Sequence, residues 1–200
     1  MHSPRSKNNP WEDHFTLKAR KDHFPARSVF KLQEIQQKVN LIQKGNSVLD
    51  LGCAPGSWLM LAATLTGPAG NVVGIDLKPP TVTLPSHVRV FIADMLALPD
   101  AVSNEIGREF HVVISDMAPS TTGNKSVDAA RSLELCQAAL STAQNRLLPG
   151  GAFVCKIFQG EDSEAFIQQI KSLFNKHRIF KPQSSRKASR EIYIIGLNKR

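Results

Sequence analysis

From Ser28 to Leu41 the apolar residues Val29, Phe30, Leu32, Ile35, Val39 and Leu41 recur at near-helical spacing, which predicts an amphipathic helix. After Asn46 and Ser47 the rhythm changes to short apolar runs separated by helical stretches. Val48–Leu51, Val72–Ile75, Val88–Ile92, Val112–Ser115, Ala152–Ile157 and Ile192–Leu197 read as buried strands. Between them, Trp58–Leu65, a short stretch before Gly107, Asp128–Leu147 and Ser163–His177 read as helices. Gly67-Pro68 and Gly70 close the first of these, and Pro149-Gly150-Gly151 the longest. Strands alternating with helices predict a parallel sheet covered on both faces, in one α/β, doubly wound, Rossmann-like domain. Residues 1–25 are polar, basic and broken by Pro4, Pro10 and Pro25; they read as a partly mobile arm before a domain over 26–200.

The first strand-to-helix turn, VLDLGCAPGSW at 48–58, carries the earliest chemical signal. A dinucleotide-binding turn needs G-x-G-x-x-G, so that backbone can approach a pyrophosphate. Here Gly52 and Gly56 have no glycine between them, and Pro55 removes a backbone donor. An acid at Asp50 further disfavours phosphate. The turn instead fits a ligand with a positive or zwitterionic amino-acid end, such as S-adenosylmethionine (SAM). Asp76, Asp94 and Asp116 then close three successive strands at the edge where ligands of open α/β sheets bind. Any one of them reads equally well as the cap of a turn, but the three together favour a ligand site. Trp58 borders the same turn, although an aromatic at a helix start is commonly core. Cys53 reads as a small turn residue.

Composition narrows the partners. Lys and Arg number 25 against 17 Asp and Glu, giving a net charge of +8. That charge fits either a scattered solvated surface or a phosphate-rich partner, and position must decide. Cys53, Cys136 and Cys155 are far apart, so neither a zinc site nor a disulfide framework is expected, and no metal. The polar first residues carry no secretory pattern, and no stretch approaches 18 apolar residues. A soluble, cytoplasmic protein without membrane association is expected, and nothing demands more than a monomer.

Six stretches in order, ARSVFKLQEI (26–35), VLDLGCAPGSW (48–58), VGIDLKP (73–79), SDMAPSTTG (115–123), GGAFVCKIFQG (150–160) and SREIYIIG (189–196), resemble the FtsJ-type (heat-shock, RrmJ-like) RNA 2′-O-ribose methyltransferases. The resemblance runs from about Trp11 to the end. It implies a SAM-dependent methyltransferase sheet of seven mostly parallel strands with an antiparallel last strand. It also implies a catalytic tetrad at Lys31, Asp116, Lys156 and Glu191, and cofactor contacts at Gly56, Trp58, Asp76, Asp94 and Asp116. Asp50, Gly52 and Pro55 join the cofactor set from the turn itself. The family's bacterial ribosomal members usually carry Arg-Ser-Arg where this chain has Pro25-Ala26-Arg27.

A ribose hydroxyl is a weak nucleophile and a sulfonium methyl a good electrophile, so this chemistry needs in-line positioning and one proton acceptor. Lys156 is expected to orient the hydroxyl and take its proton, with Asp116 bridging Lys156 to the cofactor. Lys31 and Glu191 would orient and tune. Read without the resemblance, Lys31 is a solvated helix lysine and Glu191 an ordinary strand-start acid. The basic residues Lys181, Arg186, Lys187 and Arg190 lead into Glu191, and Arg5, Lys7, Lys18, Arg20, Lys21 and Arg27 lead into Lys31. Both segments abut a tetrad member, where a phosphodiester substrate needs neutralising. The expected reaction is SAM-dependent methylation of a ribose 2′-hydroxyl, a uridine of large-subunit ribosomal RNA first and transfer RNA second. A non-catalytic ribosome-assembly factor would retain the fold but not all four tetrad residues, and a nicotinamide oxidoreductase would need the missing glycine.

Overall fold

A computed structural model describes residues 14–186 and 188–200. Seven strands, β1 (Ser47–Leu51), β2 (Asn71–Asp76), β3 (Val88–Ile92), β4 (Phe110–Ser115), β5 (Leu147–Phe158), β6 (Phe174–Phe180) and β7 (Glu191–Lys199), form one sheet in the order β3-β2-β1-β4-β5-β7-β6. β1 to β5 run parallel, and β7 pairs antiparallel with both β5 and β6. Helices α1 (His14–Lys21), α2 (Val29–Val39) and α3 (Ser57–Thr66) share one face of the sheet; α4 (Asp100–Ile106), α5 (Lys125–Arg146) and α6 (Ser163–Leu173) share the other.

Central strands covered on both faces need apolar residues without alternation. β1, β4 and β7 are buried without alternation over Val48–Leu51, Val112–Ser115 and Ile192–Ile195, with Asp50 and Ser115 the polar members of these runs. Adjacent residues then feed opposite cores. Val48 and Val112 pack with Trp58 and Tyr193 on one face, while Leu49 and Val113 pack with Leu140 and Phe166 on the other.

Three elements differ from the sequence expectation. The helix expected over Ser163–His177 ends at Leu173, and Phe174–Phe180 is the edge strand β6. Phe174 continues the helical spacing of Phe166 and Ile170, yet its ring stacks on Phe153 and lies against Gly196 of β7. The strand expected from Ala152 starts at Leu147, because Leu147 pairs with Phe110 before the register shifts and Ala152 pairs with Val112. The arm expected over 1–25 lies outside the described residues as far as residue 13. From His14 it is α1, with Ala19 buried and Phe15 packed on Phe30. Among the described residues no helix is long and apolar enough to cross a membrane.

Candidate active site

Parallel strands bring the ends of β1, β2, β3 and β4 to one edge, where a cleft of about 320 Å³ opens. Gly52, Asp76, Asp94 and Asp116 line it, together with the apolar Leu77 and Met95. Gly52 has φ +80°, and a Cβ there would sit 2.5 Å from Met117 Cγ, so only glycine lets the two loops approach. The acids do cap their own turns. Asp76 accepts from the Ala54 and Lys78 amides, each at 2.9 Å, and Asp94 from the Leu96 amide at 2.9 Å. A carboxylate carries about four acceptor positions, so capping leaves capacity facing the cleft. Capping and ligand binding thus coexist on the same side chains.

Asp50 lies behind this wall, fully buried, and neither carboxylate oxygen has a partner among the described residues. Burial, then the charges of Asp116 and Asp76, push its pKa well above the ordinary carboxylate range. An acid-lined cleft backed by an unpartnered carboxylate suits a ligand that brings positive charge, and Leu77 and Met95 suit a flat base. Both match SAM. Three other expected contacts are off the cleft wall. Pro55 O accepts from the Thr81 amide at 2.9 Å, and Gly56, at φ +116°, is pressed against Val82. Trp58 is core: its Nε1 donates to Ser28 O at 2.8 Å and its ring lies 5.9 Å from that of Tyr193. It braces α2 against β7. Burial pushes the Cys53 thiol up, consistent with an inert packing residue.

Beside the cleft stand the four tetrad positions. Because β7 is antiparallel, its first residue lies at the edge where β5 ends, and Phe158 pairs with Glu191, Lys156 with Tyr193. Lys156 Nζ lies 3.0 Å from Asp116 Oδ1 and donates to the Asp116 carbonyl at 2.5 Å. Lys31 Nζ lies 2.7 Å from Glu191 Oε1. Burial pushes the Asp116 carboxyl up, but Lys156, Lys31 and a hydrogen bond from Tyr193 outweigh it and hold the group below its ordinary value. Asp116 is the junction, since it lines the cleft and holds Lys156.

Sequence reasoning missed Tyr193. Its hydroxyl donates to Asp116 Oδ1 at 2.5 Å, and Lys31 Nζ sits 5.8 Å from its ring centroid. Period-two spacing from Glu191 was the available signal, because residues two apart in a strand share a face.

A second cavity, of about 450 Å³, adjoins Lys31 and Glu191 and is lined by Arg27 and Arg186. Arg27 has its pKa lowered by burial and by the charge of Arg186, with Glu191 opposing. Lys181 donates to Ser189 O at 2.9 Å, and Arg190 donates to Gln159 O. These two therefore brace the loop as well as charge it. Lys187, Arg5 and Lys7 lie outside the described residues.

Comparison with known proteins gives a consistent result. The family model described as FtsJ-like methyltransferase matches residues 24–199. The "Ribosomal RNA large subunit methyltransferase E" of Desulforapulum autotrophicum is 55% identical over 196 residues, 98% of this chain and 97% of that protein. The protein of the same name from Desulfatibacillum aliphaticivorans is 52% identical over 200 residues, 100% and 97% of the two chains. A crystal structure from Plasmodium falciparum, provisionally described as a ribosomal RNA methyltransferase, superposes with a TM-score of 0.74 at 25% identity, covering 88% of this chain and 98% of that one.

Proposed function

Because the chain belongs to the FtsJ-like methyltransferase family, we propose that it transfers a methyl group from SAM to a ribose 2′-hydroxyl of large-subunit ribosomal RNA, with Lys31, Asp116, Lys156 and Glu191 as its catalytic constellation. SAM supplies the electrophilic methyl; the remaining work falls to the protein. The supporting observation is the double role of Asp116, which joins the acid-lined cleft to Lys156 across 3.0 Å.

Lys156 has three donors when protonated, and among the described residues Asp116 takes two. The third is left for the 2′-oxygen, which it holds in line with the cleft. When neutral, Lys156 accepts the proton that the hydroxyl releases as the new O–C bond forms. Asp116 stays ionised throughout, which its lowered pKa favours, and keeps the lysine aimed. The Lys31–Glu191 pair stands beside the Tyr193 ring and orients the substrate side of the site. RNA approaches over Arg27, Lys181, Arg186 and Arg190, where cations neutralise its phosphates.

Methyl transfer from labelled SAM to naked ribosomal RNA, to large subunits lacking the modification, and to bulk transfer RNA tests the assignment. Label recovered from ribosomal RNA or subunits as an alkali-resistant dinucleotide is the expected result. Label in transfer RNA alone would overturn the target and keep the chemistry. The same reading gives Asp76 a ribose-binding role. Asp76→Ala is expected to weaken SAM binding about tenfold to a hundredfold, from hydrogen bonds to a charged group worth about 1.5–3 kcal/mol. Titration calorimetry measures it, and an unchanged dissociation constant would remove Asp76 from the cofactor site.

A further inference from the structure

The 182–190 segment, which carries Arg186 and Arg190, is held against α2 by side chains of that helix. Glu34 Oε2 accepts from the Gln183 amide at 2.7 Å and Glu34 Oε1 from the Ser184 amide at 2.9 Å. Arg27 donates to the Ser184 carbonyl, and Lys31 pairs with Glu191 at the far end of the segment. Arg27, Lys31 and Glu34 are spaced four and three apart, so they lie along one face of α2 and of the turn that leads into it. That face grips both ends of the segment. Ser184 is fully buried as a result, while Arg186 between the two grips is exposed and lines the 450 Å³ cavity beside Lys31.

We propose that Glu34 is a positioning residue for the RNA substrate: by clamping Gln183 and Ser184 to α2 it fixes the loop that places Arg186 opposite Arg27 beside the catalytic pair. This rests on the RNA reading above. Two guanidiniums facing one cavity repel each other, and the loop holds Arg186 there only while it is anchored; burial first, and then the charge of Arg186, lower the pKa of Arg27. A phosphodiester group in the cavity would relieve the repulsion, so the anchor prepares an anion site at its own expense. A carboxylate bound by two backbone amides is suited to this task, because both hydrogen bonds are charge-assisted. Glu34 touches neither the cofactor cleft nor Lys156 among the described residues, so its effect should fall on RNA binding.

Full-length wild type, Glu34→Gln and Glu34→Ala would be compared in three measurements: methylation kinetics on ribosomal RNA, SAM affinity, and the rate of trypsin cleavage within 182–190. Glu34→Ala is expected to raise the KM for RNA about tenfold or more, the scale of losing charge-assisted hydrogen bonds, while kcat changes less than about threefold. SAM affinity should hold, and trypsin should cut the loop faster. Glu34→Gln keeps one acceptor oxygen and should fall between the two. Unchanged KM and unchanged loop cleavage in Glu34→Ala, with SAM still bound, would overturn the proposal; so would a fall in kcat at constant KM. If Glu34→Ala fails to bind SAM, Glu34→Gln decides by the same criteria. If wild type methylates no ribosomal RNA, the RNA reading fails and with it the placement for RNA, whereas loop cleavage still reads the clamp separately.

Discussion

Lys156→Ala is expected to lower kcat by about 10³-fold or more while leaving the SAM dissociation constant within about threefold. Losing a positioned proton acceptor alone costs about 10²–10⁴, and misorienting the hydroxyl adds to it. SAM affinity holds because Lys156 is not on the cleft wall. The substitution also strips Asp116 of its nearest counter-ion. Asp116 is held below its ordinary pKa despite burial, with Lys156 the largest favourable contribution. A lowered carboxylate pKa stabilises the fold above the ordinary value, and that stabilisation is lost as pH falls through the lowered one. In the variant much of it is absent at neutral pH. Breaking a buried pair by removing one partner costs about 3–5 kcal/mol, and each kcal/mol moves the melting temperature of a chain this size by about 2–4 °C. The double variant Lys156→Met with Asp116→Asn, which leaves no uncompensated charge, should recover part of the melting temperature and none of the activity. Turnover and SAM binding lost together, in a folded Lys156→Ala protein, would refute the assigned role.

The sequence carried the parallel half of this molecule well because physics leaves it few choices there. Strands covered on both faces are mostly apolar without alternation, and β1, β2 and β4 each carry such a run, broken in β1 by the buried Asp50. The carboxyl-edge acids were legible for the same reason, since strand ends were located by the runs that precede them. The antiparallel half was harder to read. β6 is an edge strand whose residues from Asn175 to Ile179 are exposed, so it shows no hydrophobic rhythm and the α6 period runs into it through Phe174. Lys31 and Glu191 lie 160 positions apart in the chain (191 − 31), and only the reversal of β7 brings them to 2.7 Å. No local pattern encodes such a pair; the resemblance to a known family did. Trp58 shows the converse, because a large aromatic beside a ligand turn suits core and pocket equally, and the Ser28 carbonyl decided for the core. Glu34 was invisible for a simpler reason. A glutamate on an amphipathic helix looks solvated until the loop it holds is folded onto it.

Asp50→Asn should stabilise the SAM-free protein at neutral pH and weaken its grip on SAM. The carboxylate is completely buried, its oxygens have no partner among the described residues, and Asp116 and Asp76 add repulsion. Its folded pKa is therefore raised above the unfolded value. A group of this kind favours folding below its unfolded pKa, and the advantage is lost as pH rises towards the folded value. At neutral pH wild type thus carries a cost that asparagine, of similar volume and uncharged, does not. An unsatisfied buried polar group costs about 1–3 kcal/mol, more if charged, so the variant should melt several degrees higher near pH 8 and lose that advantage towards pH 4. SAM reverses the order: a ligand bringing positive charge to the cleft offsets Asp50 in wild type, and asparagine offers less to offset. The rise in melting temperature on adding saturating SAM should accordingly be smaller in the variant, and its dissociation constant larger. Scanning calorimetry at both pH values, with and without SAM, reads all of these quantities. A variant that melts lower than wild type without SAM, or gains as much from SAM, would mean that the carboxylate finds its partners within the folded chain and not in the ligand.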